Sequence, residues 1–252
     1  MTLQGRTILI TGAGRGLGRA FAEACAAAMA KEIVVADVRA DWGEATTDAL
    51  RRSGAKAAFI PVDLGDPSSI EAFAAKVSTQ YGHIDGLVNN GAIATGIGGK
   101  TFEEIDIETW DKVMAVNVRG TWLMTRAMAP LLRLSELGGR IVNLASDTAL
   151  WGAPRLLHYV GSKGAVIAMT RSLARELGPD NIAVNAIAPG LVMVEATEYV
   201  PQERKDLYVS GRAMPRVQTP EDVTGVVVFL LGQGAGFVTG QLLPVNGGFV
   251  FN

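Results

Sequence analysis

The chain has 252 residues, 48% of them apolar and 19% charged, with a formal net charge of -2. That length and composition exclude a disordered chain, and the near-neutral balance without a basic run argues against nucleic acid as a partner. A single cysteine, Cys25, rules out an intrachain disulfide and reads as a buried packing thiol in a reducing compartment.

No apolar run reaches the length of a membrane span, and the first residues lack the basic and apolar pattern of a leader. The expectation is therefore a cytoplasmic protein without a membrane partner. The first predicted element is a buried parallel strand at 6–11 (RTILIT), an apolar run that stops at glycine. A glycine-rich turn then opens into an alanine-rich helix. A second strand at 32–37 (EIVVAD) ends on an acid, a helix follows at 41–53, and a third strand lies at 56–63. Asp66 is a plausible N-cap with Pro67 at the first helical position, which starts a helix running to about Tyr81. A fourth strand and a polar turn fill 84–92. A long helix lies within 107–134, expected to break before Pro130, with Trp110 and Trp122 assigned to the core. The fifth strand, GGRIVNLAS, ends at Ser146. After it Val160, Ala165, Val166, Met169, Leu173 and Leu177 recur at helical spacing. The sixth strand is 181–190, a helix occupies 219–232 with Thr219 as N-cap and Pro220 at N1, and 241–248 holds a final strand.

This alternation predicts one domain over 1–252, of α/β class: a Rossmann-like doubly wound parallel sheet of about seven strands with helices on both faces. Residues 191–218 break the rhythm. They are more polar, carry a short helical pattern at 201–209, and follow a strand's C-terminal end, so they read as a lid over a site.

Two motifs carry chemistry. In the first, Thr11-Gly12-Ala13-Gly14-Arg15-Gly16-Leu17-Gly18 follows a strand and opens a helix. Gly12 permits a tight turn, the later glycines let backbone approach a ligand, and the helix N-terminus offers N–H groups to a pyrophosphate. Asp37 follows about twenty residues on, placed to hydrogen-bond a ribose 2′-hydroxyl and to repel a 2′-phosphate. That favours NAD over NADP; Arg15, able to reach a phosphate, is the contrary signal. The second motif is Ser146, Tyr159 and Lys163. Tyr159 and Lys163 stand four apart on one helix face. A cation there lowers a phenol pKa that is otherwise near ~10, too high for proton transfer at neutral pH. Ser146 presents a hydroxyl at a strand's C-terminal end, where open α/β sheets hold ligands.

Together these residues resemble the short-chain dehydrogenase/reductase superfamily over essentially the whole chain. The matching motifs are TGAGRGLG at 11–18, Asp63-Leu64, Asn89-Asn90, Asn117, Ser146, Tyr159 with Lys163, and Pro189-Gly190. The resemblance implies that Tyr159 is the general acid/base and that Ser146 orients the substrate oxygen. It implies that Lys163 lowers the Tyr159 pKa and binds the nicotinamide ribose, and that Asn117 holds a water linking Lys163 to solvent. Asp63 and Leu64 would flank the adenine, Asn90 would contact its ribose region, and Val192 would offer backbone to the carboxamide. No metal is needed. Three departures stand out: Gly91-Ala92 inverts the usual order of those two residues, Asp147 follows Ser146 and would face substrate or solvent, and Val194 stands where a threonine is common, with Thr197 three further on.

The substrate wall is expected from Ile93, Thr95, Thr148, Trp151, Leu156 and Met193, a mostly apolar set. It suits a small to medium, partly apolar ketone or secondary alcohol. His158 is read as structural or as pocket rim. The alternatives are an NADPH-dependent 3-oxoacyl (carrier protein or CoA) reductase and, from another class, a non-catalytic NAD-binding sensor or scaffold. Apolar residues on the 107–134 helix, the 220–232 helix and the C-terminal tail predict a homo-oligomer, and the resemblance suggests a homotetramer.

Overall fold

A computed structural model describes residues 1–251. Seven parallel strands form one sheet in the order β3-β2-β1-β4-β5-β6-β7. In chain order the elements are β1 (Thr7–Thr11), α1 (Gly16–Ala27), β2 (Glu32–Asp37), α2 (Ala40–Arg52), β3 (Ala57–Pro61), α3 (Pro67–Tyr81) and β4 (Gly86–Asn89). Then come α4 (Ile107–Met114), α5 (Thr121–Arg133), β5 (Gly139–Leu144), the short α6 (Thr148–Trp151), α7 (Leu157–Leu177), β6 (Ile182–Pro189), α8 (Gln202–Gly211), α9 (Glu221–Leu231) and β7 (Leu242–Val245).

The strands are apolar throughout because both sheet faces are covered. Successive side chains point to opposite faces, so Ile8 and Ile10 of β1 and Ile33 and Val35 of β2 pack with Phe21 of α1, Leu50 of α2 and Val223 and Val227 of α9. Their neighbours Leu9 and Val34 join Leu87, Ile141 and Val184 against Phe73 of α3, Met124 of α5 and Leu177 of α7. The chain winds outward from β1 to β3, then returns to place β4 on the other side of β1, where Ile8 pairs with Gly86. The order therefore reverses between β1 and β4, and a crevice opens at the C-terminal ends of those strands.

Most predicted elements stand, and Asp66 caps α3 by accepting from the Ser68 N–H at 2.9 Å. Three expectations are corrected. The long helix does not break at Pro130, which lies inside α5. It is exposed and near the C-terminal end of α5, and it withholds one backbone N–H from the helix ladder without ending the helix. The irregularity falls instead at Ala115–Gly120, a π-helical turn joining α4 to α5, where Gly120 is pressed against Leu64 so closely that a Cβ would meet its backbone. Trp122 is not core: it is 45% exposed with Arg126 over its ring at 5.2 Å, since the buried stripe of α5 runs through Leu123, Met124 and Met128; Trp110 is half-buried. Finally, the regular span of α9 starts at Glu221, one residue later than expected, although Pro220 already has helical angles and the Thr219 N–H donates to the Asp222 carboxylate as at an N-cap.

Candidate active site

The glycine turn is braced from the neighbouring strand. Gly12 adopts φ 62, and a Cβ there would lie 2.7 Å from the Gly91 Cα. A Cβ on Gly18 would run into the Gly12 carbonyl. The Thr11 hydroxyl accepts from the N–H groups of Asn90 and Gly91 at 3.1 and 3.0 Å. The Asn90 side-chain amide donates to the carbonyls of Thr11 and Gly12, both at 3.0 Å. Asn90, expected to contact the ribose region of the cofactor, also shapes the glycine turn. Arg15 is the N-cap of α1 but gives it no side-chain bond, and no acid stands in the first turn. The N–H groups of a helix start carry partial positive charge, and Gly16, Leu17 and Gly18 line the crevice there. The cradle fits a dinucleotide pyrophosphate.

Asp37 ends β2 beside this turn. Its carboxylate accepts from the Gly14 and Arg39 N–H groups, each at 2.9 Å. Trp42, which the sequence reading did not single out, lies between two guanidinium groups, Arg15 at 4.1 Å and Arg39 at 4.5 Å from its ring centre. Its signal was an aromatic five residues after the acid with an arginine between them.

At the other end of the crevice, β5 and α7 bring Ser146, Tyr159 and Lys163 together. The Ser146 hydroxyl accepts from the Thr148 hydroxyl at 2.9 Å, and the Tyr159 phenol faces it. Burial pushes the Tyr159 pKa up to about 12; the Ser146 hydrogen bond opposes this, while Tyr199 and Asp147 add to it. Burial pulls Lys163 down to about 8. Its Nζ donates to the Leu144 carbonyl at 2.6 Å and sits 5.6 Å from the Tyr159 ring centre. Desolvation is the largest influence on the phenol, and Lys163 is not among the groups that shift it here. Asn117 lies in the π-turn. Its Oδ1 accepts from the Ile93 N–H at 2.7 Å, and its Nδ2 donates to the Ile93 carbonyl and to Ser162 Oγ, both at 3.1 Å. Its side chain pins the loop after β4, and π-turns recur at functional sites.

One cleft of about 580 Å³ runs between these ends. Arg15, Asp37, Asp63, Leu64 and Asn90 line it on one side, and Ser146, Tyr159, Lys163, Pro189, Gly190 and Val192 on the other. Of the expected substrate wall, Ile93 and Thr95 line the cleft, whereas Thr148, Trp151, Leu156 and Met193 do not. Thr148 is turned to Ser146, and Trp151 packs edge-on against Tyr208 and Phe249. Leu156 packs beside Gly98, and Met193 pairs through its backbone with Gln218. Lys112, Val116 and Ala196 line the cleft instead.

A family model described as "Enoyl-(Acyl carrier protein) reductase" matches residues 12–250. The chain is 33% identical over 247 residues to a 3-oxoacyl-[acyl-carrier-protein] reductase of Aquifex aeolicus, covering 98% of each. The chain belongs to the short-chain dehydrogenase/reductase superfamily. It is also 36% identical over 260 residues to a sorbitol dehydrogenase of Cereibacter sphaeroides, covering 98% of each. A solved superfamily structure from Beutenbergia cavernae with bound NADP at low occupancy superposes with a TM-score of 0.90, at 33% identity and 98% coverage of both chains. The chain is thus an oxidoreductase of a superfamily that uses NAD(P), and no helix among its described residues is long and apolar enough to cross a membrane.

The three departures from the superfamily pattern have local explanations. A Cβ at Gly91 would meet Leu64 Cδ1 at 2.7 Å, so glycine suits that position here. Thr197 Oγ accepts from the Val194 N–H at 3.0 Å and donates to the Val192 carbonyl at 2.7 Å, which fixes the segment that Val194 leaves without a hydroxyl. Asp147, expected to face substrate or solvent, is closed off from solvent and does not line the cleft. It is fully buried, and its Oδ1 accepts from the Tyr208 hydroxyl at 2.9 Å.

Proposed function

We propose that the chain transfers hydride between NAD(H) and a small to medium secondary alcohol or ketone. The observation that carries this reading is the placement of Ser146, Tyr159 and Lys163 along one cleft with the glycine turn and the Asp37 carboxylate. When bound, the nicotinamide supplies or takes up the hydride. The Ser146 hydroxyl donates to the substrate oxygen and steadies the charge that develops on it. The Tyr159 phenol gives its proton to that oxygen in reduction and takes one from the alcohol in oxidation. Lys163, buried behind the ring, supplies positive charge to the phenolate and a donor for the ribose. Asp37 supports NAD, because its carboxylate repels a 2′-phosphate. The cytoplasmic setting and the assembly into a homotetramer belong to the same proposal. Exposed Phe102, Ile107, Trp122, Phe237 and Phe251 support the latter.

A fluorescence titration with NADH and NADPH on the wild type and Asp37→Ala, followed by a panel of secondary alcohols with NAD, tests this. Tighter NADH binding that depends on Asp37, with turnover lost in Tyr159→Phe, is the expected result. Preferential NADPH binding would overturn the NAD assignment and favour the 3-oxoacyl reductase reading. That second reading draws on Arg15 and Arg39, whose guanidinium groups lie over Trp42 near the Asp37 turn, two cations of the kind that pair with a 2′-phosphate, although Arg39 is also bonded to Asp41. Binding without turnover on any substrate would favour a sensor or scaffold.

A further inference from the structure

We propose that Asp147 is a positioning residue that acts through Tyr208: the pair fastens α8 to the Ser146 loop, and the buried charge keeps that fastening releasable. The proposal rests on the dehydrogenase reading for its consequence in turnover, but not for its structural test.

The segment after β6 crosses the cleft. Val192, Val194, Ala196 and Thr197 line it, the Tyr199 hydroxyl donates to the Ala94 carbonyl at 2.8 Å, and Arg204 of α8 donates to the Pro154 carbonyl at 3.3 Å. Those bonds are exposed and individually weak. The buried attachment is Tyr208, which is 3% exposed on an otherwise solvated α8. Its ring stacks on Phe249 at 4.5 Å, and its hydroxyl accepts from the Trp151 indole and donates to Asp147.

Asp147 joins three parts of the chain. It follows Ser146, its N–H donates to the Pro189 carbonyl at 3.0 Å, and it meets Tyr208 from the lid. A Cβ on Gly190 would lie 3.0 Å from its Oδ2, so the glycine makes room for the carboxylate. Yet Oδ2 is buried without a hydrogen-bond partner. Arg212, just past α8, spends its guanidinium on the carbonyls of Asn246, Arg216 and Leu191 and on Gln218. A half-satisfied buried carboxylate costs stability when ionised.

The groups that act on Asp147 come from each element around it: Tyr208 and Arg212 from the lid, Asn246 from the C-terminal segment, and Trp151 from α6. Tyr159 of α7 also feels its charge, Arg204 acts on Tyr208, and Asp222 and Arg216 act on Arg212. Burial prevails over all of them and raises the Asp147 carboxyl from 3.8 to about 6. Lifting α8 removes Tyr208 and Arg212 and returns the carboxylate to water. A group whose pKa is higher closed than open favours the closed form when protonated and the open form when ionised. The lid therefore holds more firmly below pH 6 and releases more readily above it. Between pH 5 and pH 7 the opening equilibrium should shift about tenfold.

Hydrogen exchange of the Gln202–Gly211 amides, corrected for intrinsic rates, reads this directly in the full chain. Wild type should open about tenfold more at pH 7 than at pH 5. Asp147→Asn, which keeps an acceptor for Tyr208 but carries no charge, should lose that dependence and stay protected at pH 7. Tyr208→Phe, which keeps the stacking on Phe249, should open more at both pH values. Equal protection in wild type at the two pH values, or an unchanged pH dependence in Asp147→Asn, would overturn the proposal. In turnover, Asp147→Asn should lower KM and kcat together, whereas Tyr208→Phe should raise KM. Opposite movement is not expected of two merely structural lesions. If no alcohol or ketone turns over, the dehydrogenase reading fails while the exchange result still decides the latch.

Discussion

Tyr159 works from an unfavourable starting point, a phenol held near 12 by burial, so its neighbours decide whether it can exchange a proton at neutral pH. Tyr159→Phe keeps the ring and removes the proton, and should reduce kcat by roughly 10²–10⁴-fold while leaving NADH affinity close to wild type, as titration and steady-state kinetics would show. Alcohol oxidation requires the phenolate and should rise with pH; ketone reduction requires the phenol and should fall over the same range. In Lys163→Ala both limbs should move to higher pH, because the cation nearest the ring is gone. Asp147 carries a residue-scale stability prediction of its own. Its raised pKa means that its contribution is fully present below about pH 4, its ordinary range, and lost as pH rises through about 6. At pH 8 the ionised carboxylate should cost up to roughly 3 kcal/mol. Urea denaturation should therefore find Asp147→Asn more stable than wild type at pH 8 and the two alike at pH 4.

Among the elements, α1 and its turn tolerate the least change. Gly18→Ala should destroy NADH binding, because the new methyl must push the Gly12 carbonyl or the Asn90 amide out of the cradle; calorimetric titration checks it. Asp66→Ala removes the α3 cap and should cost about 1 kcal/mol in denaturation without changing turnover. The strands were plain in the sequence, since parallel strands covered on both faces must be apolar runs. Ser146, Tyr159 and Lys163 were legible because a helix fixes the spacing of the last two and a strand end fixes the first. What escaped depends on distant partners. Nothing near Asp147 announces Tyr208, sixty-one positions later, or Phe249 behind it. The engagement of Thr148 with Ser146 and of Trp151 with that aromatic cluster was hidden for the same reason. The π-turn at Ala115–Gly120 was equally hidden, as was the close approach of Gly120 to Leu64 that accompanies it.

For the whole molecule, the apolar groups left on the surface make the assembly testable. Trp122→Glu places a charge on the exposed side of α5 and should reduce the proposed tetramer to a smaller species in light scattering; an unchanged mass would place the interface elsewhere. The strand order has a consequence for how the chain acquires its shape. β1 must wait for β4 before its second edge is closed, and the cleft is lined by residues from Gly12 to Thr197. A growing chain thus has about four-fifths of its length synthesised before the cleft it offers a dinucleotide is complete. So distant a set of pairings folds slowly. Refolding from urea should be insensitive to NADH, because the search is over before the ligand can bind, whereas unfolding should slow in its presence. The cofactor would then act as a brake on loss of the fold, with no part in finding it.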